Sequence, residues 1–437
     1  MQSEKEPLLD GDATVVKAYP RRWLVLSVFS LIFAVNNAQW ITFGPVADEI
    51  KCYYGTTDFW INSLSIVYMA GYIVLVAFAV WALDRFGLRD VMIGSVMVLA
   101  VGSWLRVIGS APSMFWILLV GQSITSIPCT MLWSAPSMLS SLWFPPSQRA
   151  TATTIAGAMS AQIGIVISLA LSPAIINIAT QKGGVPTCSG QGIIQNRLFY
   201  YLSGQAIFAT ALIPLTLWGV PEAPPLPPSK SRQQQQQQSP RVARKQLIAH
   251  IVDILKNKAF VVFLIASSVM VASTGTIITL YEQVLDQHFS PTNQQILYVG
   301  IIVQLSGIVA MFVVGRWVDF SKSFHGTIVC VYLFTTLSMA ALTVVIGYQK
   351  NFFWVYVAIA LSGAGSNSFL GLCYEYGVEL TYPIPEEVSA GLLNGVSQVF
   401  AIVLIEVVSM LSTKYSLSGM WLLTALGAMG AILTVFI

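Results

Sequence analysis

The amino-acid sequence predicts an all-α membrane protein, with twelve transmembrane helices in two pseudo-symmetric six-helix bundles. Three observations predict it. Of 437 residues, 55% are hydrophobic and only 9% are charged, where soluble proteins carry about 25% charged residues. Apolar stretches near the ~20 residues needed to cross a bilayer recur twelve times. A polar spacer then divides those stretches six and six.

In order, the expected spans are Trp23 to Ala47, Trp60 to Leu83, Val91 to Gly109, Met114 to Leu139, Thr151 to Ile176 and Leu198 to Val220, then Ala259 to Val284, Ile296 to Val318, Thr327 to Gly347, Phe352 to Gly377, Val388 to Leu411 and Met420 to Ile437. The spacer "PEAPPLPPSKSRQQQQQQSPRVARKQ" is Pro-rich, then Gln-rich, then basic, a composition that suits a solvated linker. The chain therefore divides into a tail (1–22), a first bundle (23–220), a linker (221–258) and a second bundle (259–437).

Lysine and arginine placement sets the expected orientation. With the amino terminus inside, sixteen of these residues fall on the cytosolic side, from Lys5 through the linker to Lys322. Five fall opposite (Lys51, Lys182, Arg197, Lys350 and Lys414), and Arg106 sits near the outer end of the third span. Both termini are thus expected in the cytosol. The net charge of +3 reflects this asymmetry and gives no support to nucleic-acid binding.

The amino-terminal stretch is polar and acidic, so the first span is expected to serve as its own insertion signal. Within it "EKEPLL" sets Glu4 four residues before the pair Leu8 and Leu9. This resembles an acidic dileucine signal, which would engage sorting adaptors and direct the chain to endosomes or lysosomes instead of the plasma membrane. The last span runs to Ile437 with no cytosolic flank, as expected of a shortened isoform or an incomplete sequence.

Of five cysteines, Cys129, Cys330 and Cys373 fall in or beside spans and read as small apolar residues. Cys52 and Cys188 fall in loops on the non-cytosolic side, where a disulfide between them is permitted. No Cys/His cluster suggests a metal, and no cofactor is expected.

The two halves repeat. "LDRFGLRD" after the second span holds Asp84, Arg85, Gly87 and Arg89; "GRWVDFSK" after the eighth holds Gly315, Asp319 and Lys322. Asp84 and Asp319 are 235 positions apart, and Gln162 and Gln398, in the fifth and eleventh spans, are 236 apart. Unrelated features at nearly one offset imply superposable halves. The paired loops resemble the G-x-x-x-D-R-x-G-R motif of the major facilitator superfamily. The first copy has Val80 in place of the leading glycine, and the second has Phe320 in place of the arginine. The resemblance implies the major facilitator fold and a gating role for these charges.

In that fold spans one, four, seven and ten border a central cavity, and the polar content of this chain gathers there. The first span carries Asn36, Asn37, Gln39 and Trp40; the fourth carries Gln122, Ser123, Thr125 and Ser126; the seventh carries Ser273, Thr274 and Thr276; the tenth carries "SGAGSN", Ser362 to Asn367. A 3.6-residue period brings Asn36, Trp40 and Gly44 onto one stripe. That stripe is expected to face a wet cavity, with helix-to-helix hydrogen bonding as the alternative for the asparagines. No carboxylate or histidine stands at the centre of a cavity-lining span, which argues against a proton relay and against hydrolytic catalysis; no enzyme is expected. A cation without a buried counter-charge can instead lie against an aromatic face, worth about 0.5 to 2 kcal/mol. Trp40, flanked by Gln162 and Gln398, suits a small amphiphilic cation.

"YPRRWLVLSVFSL", "AQWITFG", "LDRFGLR", "WFPPSQRATA", "AQIG", "VELTYP" and "SAGLLNGVSQVF" resemble the feline leukaemia virus subgroup C receptor-related family, solute carrier family 49. "FGPVADEI", "INSLSIVY" and "LALSP" resemble its third branch, also described as a major facilitator superfamily domain-containing protein. The resemblance implies facilitated transport by alternating access, with choline-like amines or haem as the small-molecule substrate. In choline-handling members a first-span tryptophan, a seventh-span tyrosine and two glutamines surround the ligand. Trp40 matches the tryptophan, Gln162 and Gln398 match the glutamines, and the tyrosine position falls at Gly275. Haem ranks lower, because only His288 lies at the outer mouth. A monomer in the lipid bilayer is expected. A receptor or sensor that binds without transport is the alternative of another class.

Overall fold

The computed structural model describes residues 19–145, 148–176, 191–224, 251–289, 291–321, 323–348, 351–381, 384, 386–414 and 417–436. Among the described residues twelve helices are long and apolar enough to cross a membrane: Arg21–Tyr54, Asp58–Leu83, Arg85–Ile108, Phe115–Ser134, Thr151–Ile176, Gly192–Gly219, Lys258–Phe289, Gln294–Val318, Phe324–Tyr348, Phe353–Thr381, Val388–Ser412 and Ser418–Val435. They are called the first to twelfth spans below, and each overlaps the expected span of the same number. Among the described residues there is no strand. An α-helix satisfies its own backbone groups, which hydrocarbon requires.

The first span departs from a plain rod. Its α-helix, Arg21–Trp40, ends on the tryptophan, a 3-10 turn follows at Gly44–Val46, and a second helix covers Ala47–Tyr54. Pro45 stands at the start of that turn, where its missing N–H is tolerated. Trp40 is thereby the last residue of a helix, with the chain turning just beyond it. The end of the molecule that carries helix Ala47–Tyr54 is called the far face, and the opposite end the near face.

At the near face the second and third spans are joined through Gly87, at φ 80° and ψ 173°. A side chain disfavours that backbone conformation, so glycine fits the turn. Arg85 is exposed there, and Arg89 pairs with Glu222 at 3.5 Å. Gly315 is exposed on the eighth span. For Asp84 and Asp319 only the backbone is described, and Lys322 lies outside the described residues, as do Glu4, Leu8 and Leu9. Cys52 is disulfide-bonded, and its expected partner Cys188 lies outside the described residues.

Two buried apolar clusters fill the first half. One gathers Phe29, Phe33, Leu99, Leu139 and Trp143, and the other Phe43, Tyr53, Leu64, Leu118 and Leu198 towards the far face. A third fills the second half around Phe260, Tyr332, Leu342 and Phe369, and it takes in Ile41, Met69, Ile165 and Leu169 from the first half. The halves meet where the fifth span packs on the eighth and the second on the eleventh. A further contact sets the seventh span against the turn at Gly44–Val46.

Close crossings depend on glycine at specific points. A Cβ on Gly164 would lie 2.0 Å from the backbone oxygen of Ala34, and one on Gly363 would lie 2.0 Å from that of Val303. These pin the first span to the fifth and the eighth to the tenth, the small-residue packing that membrane helices use.

Candidate functional site

The polar residues of the first and fourth spans are brought together, and three of them, Asn36, Gln39 and Gln122, donate from one helix to another. Asn36 is fully buried and donates through Nδ2 to the Thr125 carbonyl at 2.8 Å. Asn37 turns back to the Phe33 carbonyl one turn below, at 2.9 Å. Gln39 reaches Ser103 Oγ of the third span at 2.7 Å. Gln122 donates to the carbonyls of Gln39 at 3.1 Å and Trp40 at 3.4 Å, which holds the open end of the first helix against the fourth span. Thr125 also accepts from the Tyr68 hydroxyl at 2.8 Å. These bonds stabilise the interior of the first half.

Trp40 differs from its neighbours. It is half-buried, and its ring packs against the apolar cluster of the second half. Its indole N–H is out of solvent and meets no acceptor among the described residues. One turn on, Gly44 approaches the seventh span closely, since a Cβ there would lie 3.4 Å from the Thr279 carbonyl. The stripe through Asn36, Trp40 and Gly44 therefore runs from the interior of one half to the seam with the other.

Gln162 crosses that seam. From the fifth span its Nε2 donates to Asn367 Oδ1 of the tenth span at 2.6 Å, and Asn367 Nδ2 donates to Gln304 Oε1 of the eighth at 3.2 Å. Gln162 Oε1 and Gln304 Nε2 keep no partner among the described residues. Gln398 is half-buried and donates to Asn394 Oδ1, one turn earlier on its own helix, at 3.0 Å. Asn394 in turn interacts with Tyr72 of the second span, a second polar approach across the seam. Sequence reasoning did not single out Gln304, Asn394 and Tyr72, which stand on the eighth, eleventh and second spans. The pseudo-repeat was the usable signal, because it already paired the fifth and eleventh spans.

Gly275 faces open space. A Cβ there would meet only Met69 Cε of the second span, at 4.0 Å. A buried tyrosine, Tyr281, lies six residues on, and its hydroxyl has no partner among the described residues.

Trp40, Gln162, Gln398 and Gly275 thus stand on the first, fifth, eleventh and seventh spans, all of which reach the boundary between the halves. Unsatisfied amide and indole groups at that boundary can bind a polar solute, and the tryptophan can face a cation. Among the described residues no cluster suited to a metal ion occurs.

Comparison with known proteins agrees with this architecture. The Major Facilitator Superfamily pattern matches residues 28–383. The choline/ethanolamine transporter FLVCR2 of Rattus norvegicus is 31% identical over 427 residues, 97% of this chain and 76% of that protein. The choline/ethanolamine transporter flvcr2a of Danio rerio is 28% identical over 422 residues, 96% of this chain and 87% of that protein. Among solved structures, the D-xylose-proton symporter superposes with a TM-score of 0.71 at 13% identity, covering 94% of this chain and 97% of the other. A bacterial homologue of the human lysosomal transporter Spinster, inward-facing and unoccupied, gives 0.69 at 15% identity, covering 96% and 95%. The structural likenesses establish the fold, and the sequence matches establish kinship: the chain belongs to the Major Facilitator Superfamily, in its feline leukaemia virus subgroup C receptor-related family of membrane transporters.

Proposed function

We propose that this transporter carries a small amine of the choline and ethanolamine class, by facilitated alternating access. The observation that carries the reading is Trp40, a half-buried ring at the seam whose N–H has no partner among the described residues. Gln162 and Gln398 supply polar walls on either side, and the relatives named above as choline/ethanolamine transporters support the substrate class. Asn36 and Gln122 hold the first and fourth spans together beside the tryptophan, and Asn37 bonds back within the first span. Gly275 leaves room on the seventh span and widens the site, so a bulkier amine than choline fits the same reading.

The near face is the cytosolic one in this reading, with both termini and the basic linker on that side. The near-face loops around Gly87 and Gly315 act as gating structure. The chain works as a monomer, either at the plasma membrane or in endosomes and lysosomes if adaptors engage Glu4, Leu8 and Leu9.

The test is tracer accumulation of choline and ethanolamine in cells expressing the chain with Leu8→Ala and Leu9→Ala. Saturable uptake that is lost in Trp40→Ala at equal surface abundance is the expected result. Abundant surface protein that moves neither amine would remove the amine reading.

A further inference from the structure

At the far face, carboxyl groups from the two halves gather at the seam. Glu282 of the seventh span is buried, and its Oε2 accepts from the Ala47 backbone N–H across the seam at 2.6 Å. The Glu49 carboxyl, two residues beyond Ala47 on helix Ala47–Tyr54, is close enough to Glu282 for the two to interact electrostatically. Glu49 Oε2 is out of solvent, and no donor among the described residues reaches it. Beside this pair, the Asp286 carboxyl of the seventh span interacts electrostatically with that of Asp48. Two ionised carboxylates have no hydrogen to share and repel, whereas a carboxyl and a carboxylate form a short, strong hydrogen bond. A proton shared with Glu282 would supply the donor that Glu49 lacks.

We propose that Glu49 and Glu282 form a proton-binding pair that holds the far face of the transporter closed, with Asp48 and Asp286 as a second, more open pair beside it. In the shut state one proton is held between Glu49 and Glu282. When the halves part, both groups meet water and ionise, and the proton leaves to the far side. Acid on that side thus favours closure, and rising pH favours opening.

The surrounding charges leave this assignment in place. Lys51, on the same helix, is hydrogen-bonded to Asp58 at 2.7 Å and lies 3.6 Å from Asp48, so it offsets the outer pair and not Glu282. Arg106 of the third span lies over the Phe43 ring at 5.4 Å. His288, on the seventh span, sets its Nδ1 3.0 Å from the Val284 carbonyl of its own helix. Tyr53 and Tyr54 on helix Ala47–Tyr54, Tyr281 beside Glu282, Arg197 of the sixth span and Glu406 of the eleventh are further ionisable groups on these and neighbouring elements. The closure also carries neutral bonds that do not titrate, such as Gln283 Nε2 to Asn62 Oδ1 at 3.1 Å.

The test needs neither the substrate nor the cellular location. Spin labels on Thr57→Cys and Gln287→Cys, at the far-face ends of the two halves, report their separation by pulsed dipolar spectroscopy. The full chain is purified into lipid nanodiscs, with Cys330→Ser to remove the exposed thiol. At pH 8.5 a longer-distance population is expected, and at pH 5.5 it should collapse into the shorter one. Glu49→Gln and Glu282→Gln keep an acceptor and supply a permanent donor, so each should hold the short distance at both pH values. Identical distributions at both pH values in the parent, or an unchanged pH response in both glutamine variants, would overturn the proposal.

Discussion

Gln162 on the fifth span and Asn367 on the tenth are joined by one hydrogen bond of 2.6 Å, and that bond ties the first half of the transporter to the second. Alternating access requires such a link to be strong enough to define a state and weak enough to break. Hydrogen bonds between membrane helices average about 0.6 kcal/mol, which meets both conditions. Gln162→Leu should shift the balance between states by about threefold, seen as a change in the half-saturating concentration of amine with little change in melting temperature. An unaltered concentration dependence would show that the bond plays no part in the cycle.

The ring of Trp40 is expected to contribute through its face. Trp40→Ala should raise the half-saturating concentration by about 2- to 30-fold, the range spanned by a cation–π contact of about 0.5 to 2 kcal/mol. Trp40→Phe, which keeps a ring, should fall between that variant and the parent. If the phenylalanine variant matches the alanine variant, the unpartnered indole N–H is the working group, and the substrate offers it an acceptor.

Gly275 is a position where a side chain can be added. A Cβ there enters open space, with Met69 Cε at 4.0 Å as its nearest neighbour, so Gly275→Tyr should express normally and place a second ring near the site. Tighter choline binding, by several fold, is the expected gain from one further aromatic face. Competition of choline against labelled ethanolamine would measure it, and weaker binding would show that the space is needed by the substrate.

The crossing at Gly164 tolerates nothing larger than hydrogen. A methyl group there must push the first and fifth spans apart, because the opposing atom is the Ala34 backbone oxygen and not a movable side chain. Overpacking of this kind costs about 1–3 kcal/mol. Gly164→Ala should therefore lower the melting temperature of the purified protein, whereas Gly192→Ala, where a Cβ meets nothing within 4 Å, should leave it unchanged.

Arg106 gives the opposite expectation. It is fully buried, its Nε and both terminal nitrogens lack hydrogen-bond partners among the described residues, and its guanidinium lies over the Phe43 ring at 5.4 Å. Removing a partnered buried charge strands the partner, but here no carboxylate is left behind. Arg106→Met keeps most of the volume and removes a large desolvation cost, so thermal stability should hold or rise. A marked fall would reveal an anion that joins the guanidinium in another state of the cycle.

Much of this architecture is legible in the sequence, because bilayer thickness imposes a length on each span and the composition leaves few other readings. Trp40 stands out in the sequence as an aromatic set among amides inside an apolar run, and its half-buried place at the seam appears only in the fold. The partner of Asn36 was not legible: helical period assigns a face, but the Thr125 carbonyl becomes its acceptor only through the crossing of two helices. The bridge from Gln162 through Asn367 to Gln304 needs three helices at once, and no spacing along one chain encodes it. Glu282 stands near the outer end of the seventh span in sequence, and its burial against helix Ala47–Tyr54 appears only when the two halves are brought together.

The seam between the halves is largely oily: Ile41, Met69, Ile165 and Leu169 of the first half lie within the apolar cluster of the second. Parting such surfaces exposes hydrocarbon, and exposed hydrocarbon in water raises the heat capacity. The two states of the transporter must then differ in how they respond to temperature, with the apolar grip on the closed seam loosening as the protein is cooled. A curved, not straight, van't Hoff plot of the state populations is the signature this seam would leave.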